Sequence, residues 1–298
     1  MSTVTNRNLE NIKQYKKRSQ LGDIWHRFCK NKSALVGLII FLVILVAALS
    51  ADLFYDYNTD AIKINIKERL TPPNSAHILG TDELGRDILC RIVYGARVSL
   101  EVGILATTFA LIVGGILGAI AGYYGGKVDQ IIMRAMDVLL AIPGLLMAIA
   151  MMAAFGQSVF NMTMSLGVSY ISKFAVVVRS AILSVRGQEY VEAARAIGCK
   201  DRTIIGRHVL INCMAPIIVN YALAIGTRIT SVSTLSYIGM GVQAPTPDWG
   251  CMLSSGRAYM RGNGYLVLAP GLAIMLTITA FNLMGDGLRD ALDPRLKN

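Results

Sequence analysis

Thirty-five consecutive residues, Val138–Ser172, carry no charged side chain. A helix rises about 1.5 Å per residue and the hydrocarbon core of a bilayer is about 30 Å thick, so a helix of this length, about 52 Å, overshoots one crossing. The run contains Phe155-Gly156-Gln157-Ser158, a glycine-and-polar break, which predicts two spans joined in a tight hairpin at that point.

Four further apolar stretches follow the same rule. Ser33–Ala51 lies uncharged between Lys32 and Asp52, and Val102–Gly126 is uncharged, its helix expected to finish near Gly122. Cys213–Gly239 and Gly262–Gly285 complete a set of six spans. In the fourth span, about Val159–Val178, Lys173 is expected to snorkel toward the inner surface beside Arg179. Charged residues make up only 16% of the chain and the mean hydropathy is +0.51, so the deficit of charge is gathered into these stretches. The fold class is therefore all-α, a membrane protein of six transmembrane helices.

Polar sequence divides the chain into an N-terminal arm, 1–32, a membrane domain, 33–290, and a short tail, 291–298. The arm carries eight Lys/Arg ahead of the first apolar stretch, too long and too basic for a signal-peptide n-region. It is expected to end in an interfacial helix around Leu21, Ile24, Trp25 and Phe28. Six spans put both termini on one side. Placing them inside leaves 19 Lys/Arg on inner segments, eight on the outer segments 55–97 and 238–263, and two, Lys173 and Arg228, within spans. That asymmetry follows the positive-inside rule, and it explains the +10 net charge better than nucleic-acid binding does.

Some chemistries are excluded. No Gly-x-x-x-x-Gly-Lys-Ser/Thr occurs, since Gly125-Gly126-Lys127 is followed by Val128. No nucleophile–base constellation stands out, so no catalytic residue is assigned. The five cysteines form no CxxC pair; Cys90 and Cys251 fall on the outer side and read as packing residues or as a disulfide. His26, His77 and His208 are too scattered for a metal site, and Met147, Met151, Met152 and Met164 read as packing. No cofactor or metal is assigned to the chain. Spans one, two, five and six are read as free of acidic residues, which argues against an ion-driven transporter.

The polar segment 186–212 lies on the inner side between the fourth and fifth spans. Residues 187–197 are good helix formers, Gly198 is placed to end that helix in a left-handed turn, and Asp201 to cap a second short helix from Arg202. Pro216 is expected in the first turn of the fifth span. Ala193 and Ala194 give a smooth helix face flanked by Glu192 and Arg195. Elsewhere, Gly114, Gly118 and Gly122 permit close helix approach, read as packing within the chain in preference to a subunit interface. Arg134 and Asp137 stand one turn apart, where an ion pair is expected, and Pro143 marks a bend beyond them. Arg228 is the one charge deep in a span; it serves either a substrate path or a contact with a partner subunit.

Glu192-Ala193-Ala194-x-x-x-Gly198, before the penultimate span, resembles the coupling loop of permease subunits in ATP-binding-cassette importers. Three more segments narrow the resemblance: Leu79-Gly80-Thr81-Asp82-Glu83-Leu84-Gly85-Arg86-Asp87, Met240–Gly250 with its Pro245-Thr246-Pro247-Asp248-Trp249, and Phe281–Asp290 followed by Asp293-Pro294. Together they are similar to the second permease of the dipeptide/oligopeptide/nickel group. Asp82 or Asp87 is suited to cap the helix leading into span two, and Trp249 to sit at the membrane interface. In place of the family's Ile-x-Leu-Pro the loop ends His208, Leu210 and Ile211. The resemblance implies the type I importer permease fold and a coupling role for Glu189, Glu192, Ala193, Ala194, Arg195, Gly198 and Asp201. It implies a homologous permease, two ATPase subunits holding ATP and Mg, an extracytoplasmic binding protein and a place in a bacterial or archaeal cytoplasmic membrane. Peptides are the implied cargo, with nickel or a metal chelate the alternative.

Overall fold

The structure, a computed structural model, describes residues 20–292; the arm through residue 19 and the tail from Asp293 lie outside the described residues. Helices are α1 (Gln20–Lys30), α2 (Lys32–Phe54), α3 (Ile88–Tyr124), α4 (Gly126–Ala141), α5 (Gly144–Phe155), α6 (Val159–Val168), α7 (Ile171–Val185), α8 (Glu189–Ala196), α9 (Asp201–Tyr237), α10 (Trp249–Gly256) and α11 (Tyr265–Leu292). Among the described residues there is no strand, only an isolated bridge between Thr81 and Asp87.

Four helices, α2, α3, α9 and α11, are long and apolar enough to cross a membrane alone. Two bent pairs pass the same test together and bring the candidates to six if each is one span: α4 and α5 meet at 82°, α6 and α7 at 42°. The expected hairpin is present: α5 stops at Phe155, Gly156 takes φ +86°, and Ser158 caps α6 through Asn161 N. Pro143 sits in the α4–α5 break, as its missing N–H requires.

The long segment read as outer, 55–97, is shorter than expected. α3 begins at Ile88 rather than near Val102, because the charges at its start are satisfied within the fold. Arg91 Nη1 donates to Ala61 O at 2.7 Å, and Arg97 pairs with Asp52 at 2.9 Å. The helix-capping carboxylate is Asp87, which accepts from Cys90 N. Asp82 instead knots the turn between Gly80 (φ +78°) and Gly85 (φ +75°), accepting from Leu84 N, Arg86 N and Arg86 Nε. The longer helices also take in Asp52 and Glu101, each just beyond the uncharged stretches Ser33–Ala51 and Val102–Gly126.

α3 and α7 form the tightest seam. A β-carbon on Gly114 would stand 2.3 Å from Ile171 O, and one on Gly118 would stand 2.3 Å from Ala175 O. The small-residue stripe is thus consumed inside the chain, where close backbone approach maximises dispersion contact in the absence of a hydrophobic force between helices. The segment before α10 packs differently from expectation. Trp249 is fully buried rather than interfacial, donating Nε1–H to Ile92 O at 2.9 Å. Asp248 caps α10 through Gly250 N and Cys251 N. All five cysteines are free, with Cys90 packed against Ala51, Ala61 and Tyr94. α1 covers the expected interfacial residues, and Phe28 is buried against Ala34 and Ala291. α1 is tied to α11 through Asn31, whose amide caps α2 and donates to Asp290 at 2.9 Å.

Candidate functional site

Two places in this fold carry polar groups that packing alone does not explain: the α7–α8–α9 connection and a cavity at the α6–α7 break.

α8 is the helix the sequence predicts over 187–197, trimmed at both ends. Gly198 ends it with φ +80°. Cys199 N donates to Ala194 O and Gly198 N to Arg195 O, the paired closing bonds of a left-handed helix stop. Asp201 does not cap a second helix. It is the first residue of α9, preceded by Lys200 with no side-chain cap, and its carboxylate accepts from Tyr123 OH at 2.7 Å. The Arg195 guanidinium lies 5.7 Å from the Tyr123 ring centre, and this neighbour holds it above its ordinary value. Tyr123, at the end of α3, therefore gathers both ends of the loop.

One side of α8 faces inward: Val191 and Ala194 are buried in a cluster with Ala119, Tyr123, Ile182, Ile204 and Val209. Ala194 therefore belongs to this chain's core and not, as expected, to a free face. The outward side presents Glu189, Tyr190, Glu192, Ala193 and Ile197, the last 80% exposed. Beyond Asp201 the chain does not form a separate short helix. It runs through a π-helical turn, Ile204–Val209, directly into the fifth span, so Pro216 lies inside α9 and not at its start. Arg186 Nη1 donates to Gly122 O, and Arg179 pairs with Asp129 at 2.5 Å, fastening α7 to the α3–α4 corner. Arg134 and Asp137 approach to 3.7 Å, both well exposed, a pair worth little in stability where water screens it.

In the membrane domain, Arg228 on α9 is 7% exposed and its guanidinium lies 4.2 Å from the Tyr170 ring centre. Lys173 is exposed, and its ammonium lies 4.8 Å from the same ring. Tyr170 occupies the α6–α7 break and was not singled out by sequence. The available signal was an aromatic residue one turn before a lysine inside an otherwise uncharged run. Arg228, Lys173 and Tyr170 line a cavity of about 370 Å³ with Pro143, Ser169 and Ser231.

The comparisons bear on the chain as a whole. Residues 114–298 match the binding-protein-dependent transport system inner membrane component family, and residues 19–73 match the N-terminal TM domain of oligopeptide transport permease C. The dipeptide transport system permease protein DppC of Alkalihalophilus pseudofirmus is 44% identical, over 96% of this chain and 93% of that protein. The di/tripeptide transport system permease protein DppC of Pseudomonas aeruginosa is 40% identical, over 94% of each. The glutathione transport system permease protein GsiD of Pectobacterium atrosepticum is 41% identical, over 94% of this chain and 93% of that protein. Among solved structures, an inward-facing form of the MetNI methionine ABC transporter superposes with a TM-score of 0.57 at 15% identity, covering 68% of this chain and 97% of that one, which is a likeness of fold. With its family match, its near full-length relatives and its shared importer-permease fold, this multi-pass chain belongs to the inner membrane components of binding-protein-dependent transport systems.

Proposed function

We propose that this chain is one of two permease subunits in an ATP-driven importer of short peptides. The observation that carries the reading is 38 to 44% identity over nearly the whole chain to permeases named for dipeptides and di/tripeptides. Those names favour peptides over nickel or a metal chelate. The exposed side of α8 supports the coupling assignment: a short helix, held rigidly by Tyr123 and the buried Val191, offers Tyr190, Ala193 and Ile197 to a groove in a partner. Glu189, Glu192 and Arg195 supply polar contacts beside it, and Gly198 and Asp201 set its angle.

ATP and Mg bind on two separate ATPase subunits, and this chain contributes no catalytic group. A binding protein delivers cargo to the opposite face, and hydrolysis rocks the two permeases between inward- and outward-open states. Both termini and the 186–212 loop lie on the cytoplasmic side of a bacterial or archaeal membrane, with Lys/Arg excess as the reason. The test is reconstitution of the complete complex with its binding protein in liposomes, followed by uptake of a radiolabelled dipeptide and of nickel. The expected result is peptide accumulation that requires ATP. Accumulation of nickel alone, or uptake driven by an ion gradient without ATP, refutes the proposal.

A further inference from the structure

Arg228 and Lys173 share one aromatic ring in mid-span. Arg228 lies nine residues before the end of α9 and Lys173 in the third position of α7, beyond the α6–α7 break. Neither makes an ion pair among the described residues, and the buried Arg228 Nε has no hydrogen-bond partner. A charged group inside a membrane protein normally pairs with a carboxylate or with backbone carbonyls. Among the described residues the close partner of both cations is the face of Tyr170, whose quadrupole attracts positive charge. The ring holds two like charges near each other without neutralising either.

A third positive feature opens onto the same space. α5 starts at Gly144 after Pro143 with no side-chain cap, and Gly144 and Leu145 line the cavity. The free amides of a helix's first turn carry partial positive charge and favour an anion. The cavity, about 370 Å³, falls within the range of small-ligand pockets. Its walls include Ser169 and Ser231, whose hydroxyls already donate to Leu166 O and Thr227 O, and it lies where both bent spans break.

We propose that Arg228 and Lys173, both close to the Tyr170 ring and lining one cavity with the start of α5, form an intramembrane anion site that takes the C-terminal carboxylate of a peptide in transit. The inference rests on the peptide-import reading and names the group of the cargo that this chain engages. Arg228 provides the bidentate fork that suits a carboxylate, and Lys173 a mobile point charge that hands it on. The site needs only to be occupied briefly, so its cations are left unpaired between cargo molecules.

The test uses the complete reconstituted complex with loaded binding protein. Uptake of a dipeptide and of its C-terminal amide is measured, each at a concentration that saturates the binding protein, for the wild type, Arg228→Gln, Arg228→Lys and Lys173→Gln. The expected result is that Arg228→Gln lowers free-acid uptake at least tenfold and collapses the acid-to-amide uptake ratio toward one. Arg228→Lys restores most of that ratio, and Lys173→Gln lowers it by a smaller factor. Since every variant uses the same binding protein, its own preference cancels in the comparison. An unchanged acid-to-amide ratio in Arg228→Gln overturns the proposal. So does dispersal of the purified complex by Arg228→Gln with rescue by Arg228→Lys, which assigns the charge to the partner permease instead. If the wild-type complex moves no peptide of either form, the import reading fails first, and that outcome is distinct from the other two.

Discussion

Replacing Gly198 tests the proposed coupling role of the 186–212 loop with backbone and side-chain effects separated. The residue sits at φ +80°, and a β-carbon built there would meet no atom within 4 Å. Any penalty in the isolated chain is therefore conformational and not a clash. A non-glycine L-residue in the left-handed region costs about 1–2 kcal/mol, asparagine less, and a β-branched residue more. At 1.4 kcal/mol per factor of ten, Gly198→Ala should reduce the population of the docking-ready loop about 5- to 30-fold. The affinity of the ATPase subunits for the permease pair, titrated in nanodiscs, should follow the order Gly, Asn, Ala, Val. Peptide-stimulated ATPase activity should fall in step, while the amount of inserted protein stays the same. Two results refute the reasoning: wild-type coupling in Gly198→Val, or equal losses for Asn and Val, which would place the effect on side-chain bulk.

Three further outcomes follow from the geometry. Gly118→Val should lower the thermal midpoint in detergent by an amount equivalent to about 1–3 kcal/mol, because its β-carbon meets the Ala175 backbone at 2.3 Å. Gly115→Ala, whose nearest neighbour would be Leu111 Cδ1 at 3.8 Å, should be neutral in the same assay. Burial pushes the Asp248 carboxyl above its ordinary value, so the fold disfavours the ionised form. That destabilisation is absent below the unfolded value and grows as pH rises through the folded one. Asp248→Asn, which keeps an oxygen for the Gly250 and Cys251 amides, should therefore raise the midpoint at pH 8 and leave it nearly unchanged at pH 4. A drop at both would mean the charge itself holds the loop through Arg91. Finally, in a chain freed of native cysteines, Lys200→Cys should resist an impermeant thiol reagent in intact cells and Arg261→Cys should react. Labelling at 200 from outside would overturn the six-span orientation. Arg261 is the outer probe because Asp248–Gly250, a natural choice from sequence, is buried.

Much of the fold was legible because lipid imposes a simple rule on uncharged length. The Gly156 hairpin, the Pro143 break and the left-handed Gly198 all follow from residue chemistry in the place where they act. These errors share one cause, which is that a polar group is read from its local context until its distant partner is known. Arg91 and Arg97 cut the second span short on paper, yet Ala61 O, Ala48 O and Asp52 absorb them. Asp201 read as a cap because Tyr123, 78 residues away, could not be seen as its partner. Trp249 read as interfacial because nothing local announces Ile92 O as its acceptor. Tyr170 was missed for the converse reason: it matters only through Arg228, 58 positions later, and no periodicity records that pairing.

The α3–α7 seam connects the two polar places. α8 is held to the end of α3 by Arg195 over the Tyr123 ring and joined to α7 by three intervening residues, Arg186 to Gln188, of which Arg186 bonds back to Gly122 O. From there α7 rises along α3, its backbone pressed against Gly122, Gly118 and Gly114 in turn. The last contact, Ile171 O on Gly114, is one residue from Tyr170. Helices packed backbone to backbone cannot slide without clashing at every glycine, so α3 and α7 move as one body. From Val185 to Ile171 that body spans about 21 Å at 1.5 Å per residue. A displacement forced on α8 by a partner would therefore reach the α6–α7 break, and α6 would share it, since a β-carbon on Gly167 would stand 2.7 Å from Phe109 Cδ1 and 3.2 Å from Ala106 O of α3. Arg228 sits on α9, across that break, so the distance between Arg228 and the Tyr170–Lys173 pair is the coordinate that such a motion changes. An anion held by both cations would be gripped in one state and released in the other, which is the property that alternating access demands of a transit site.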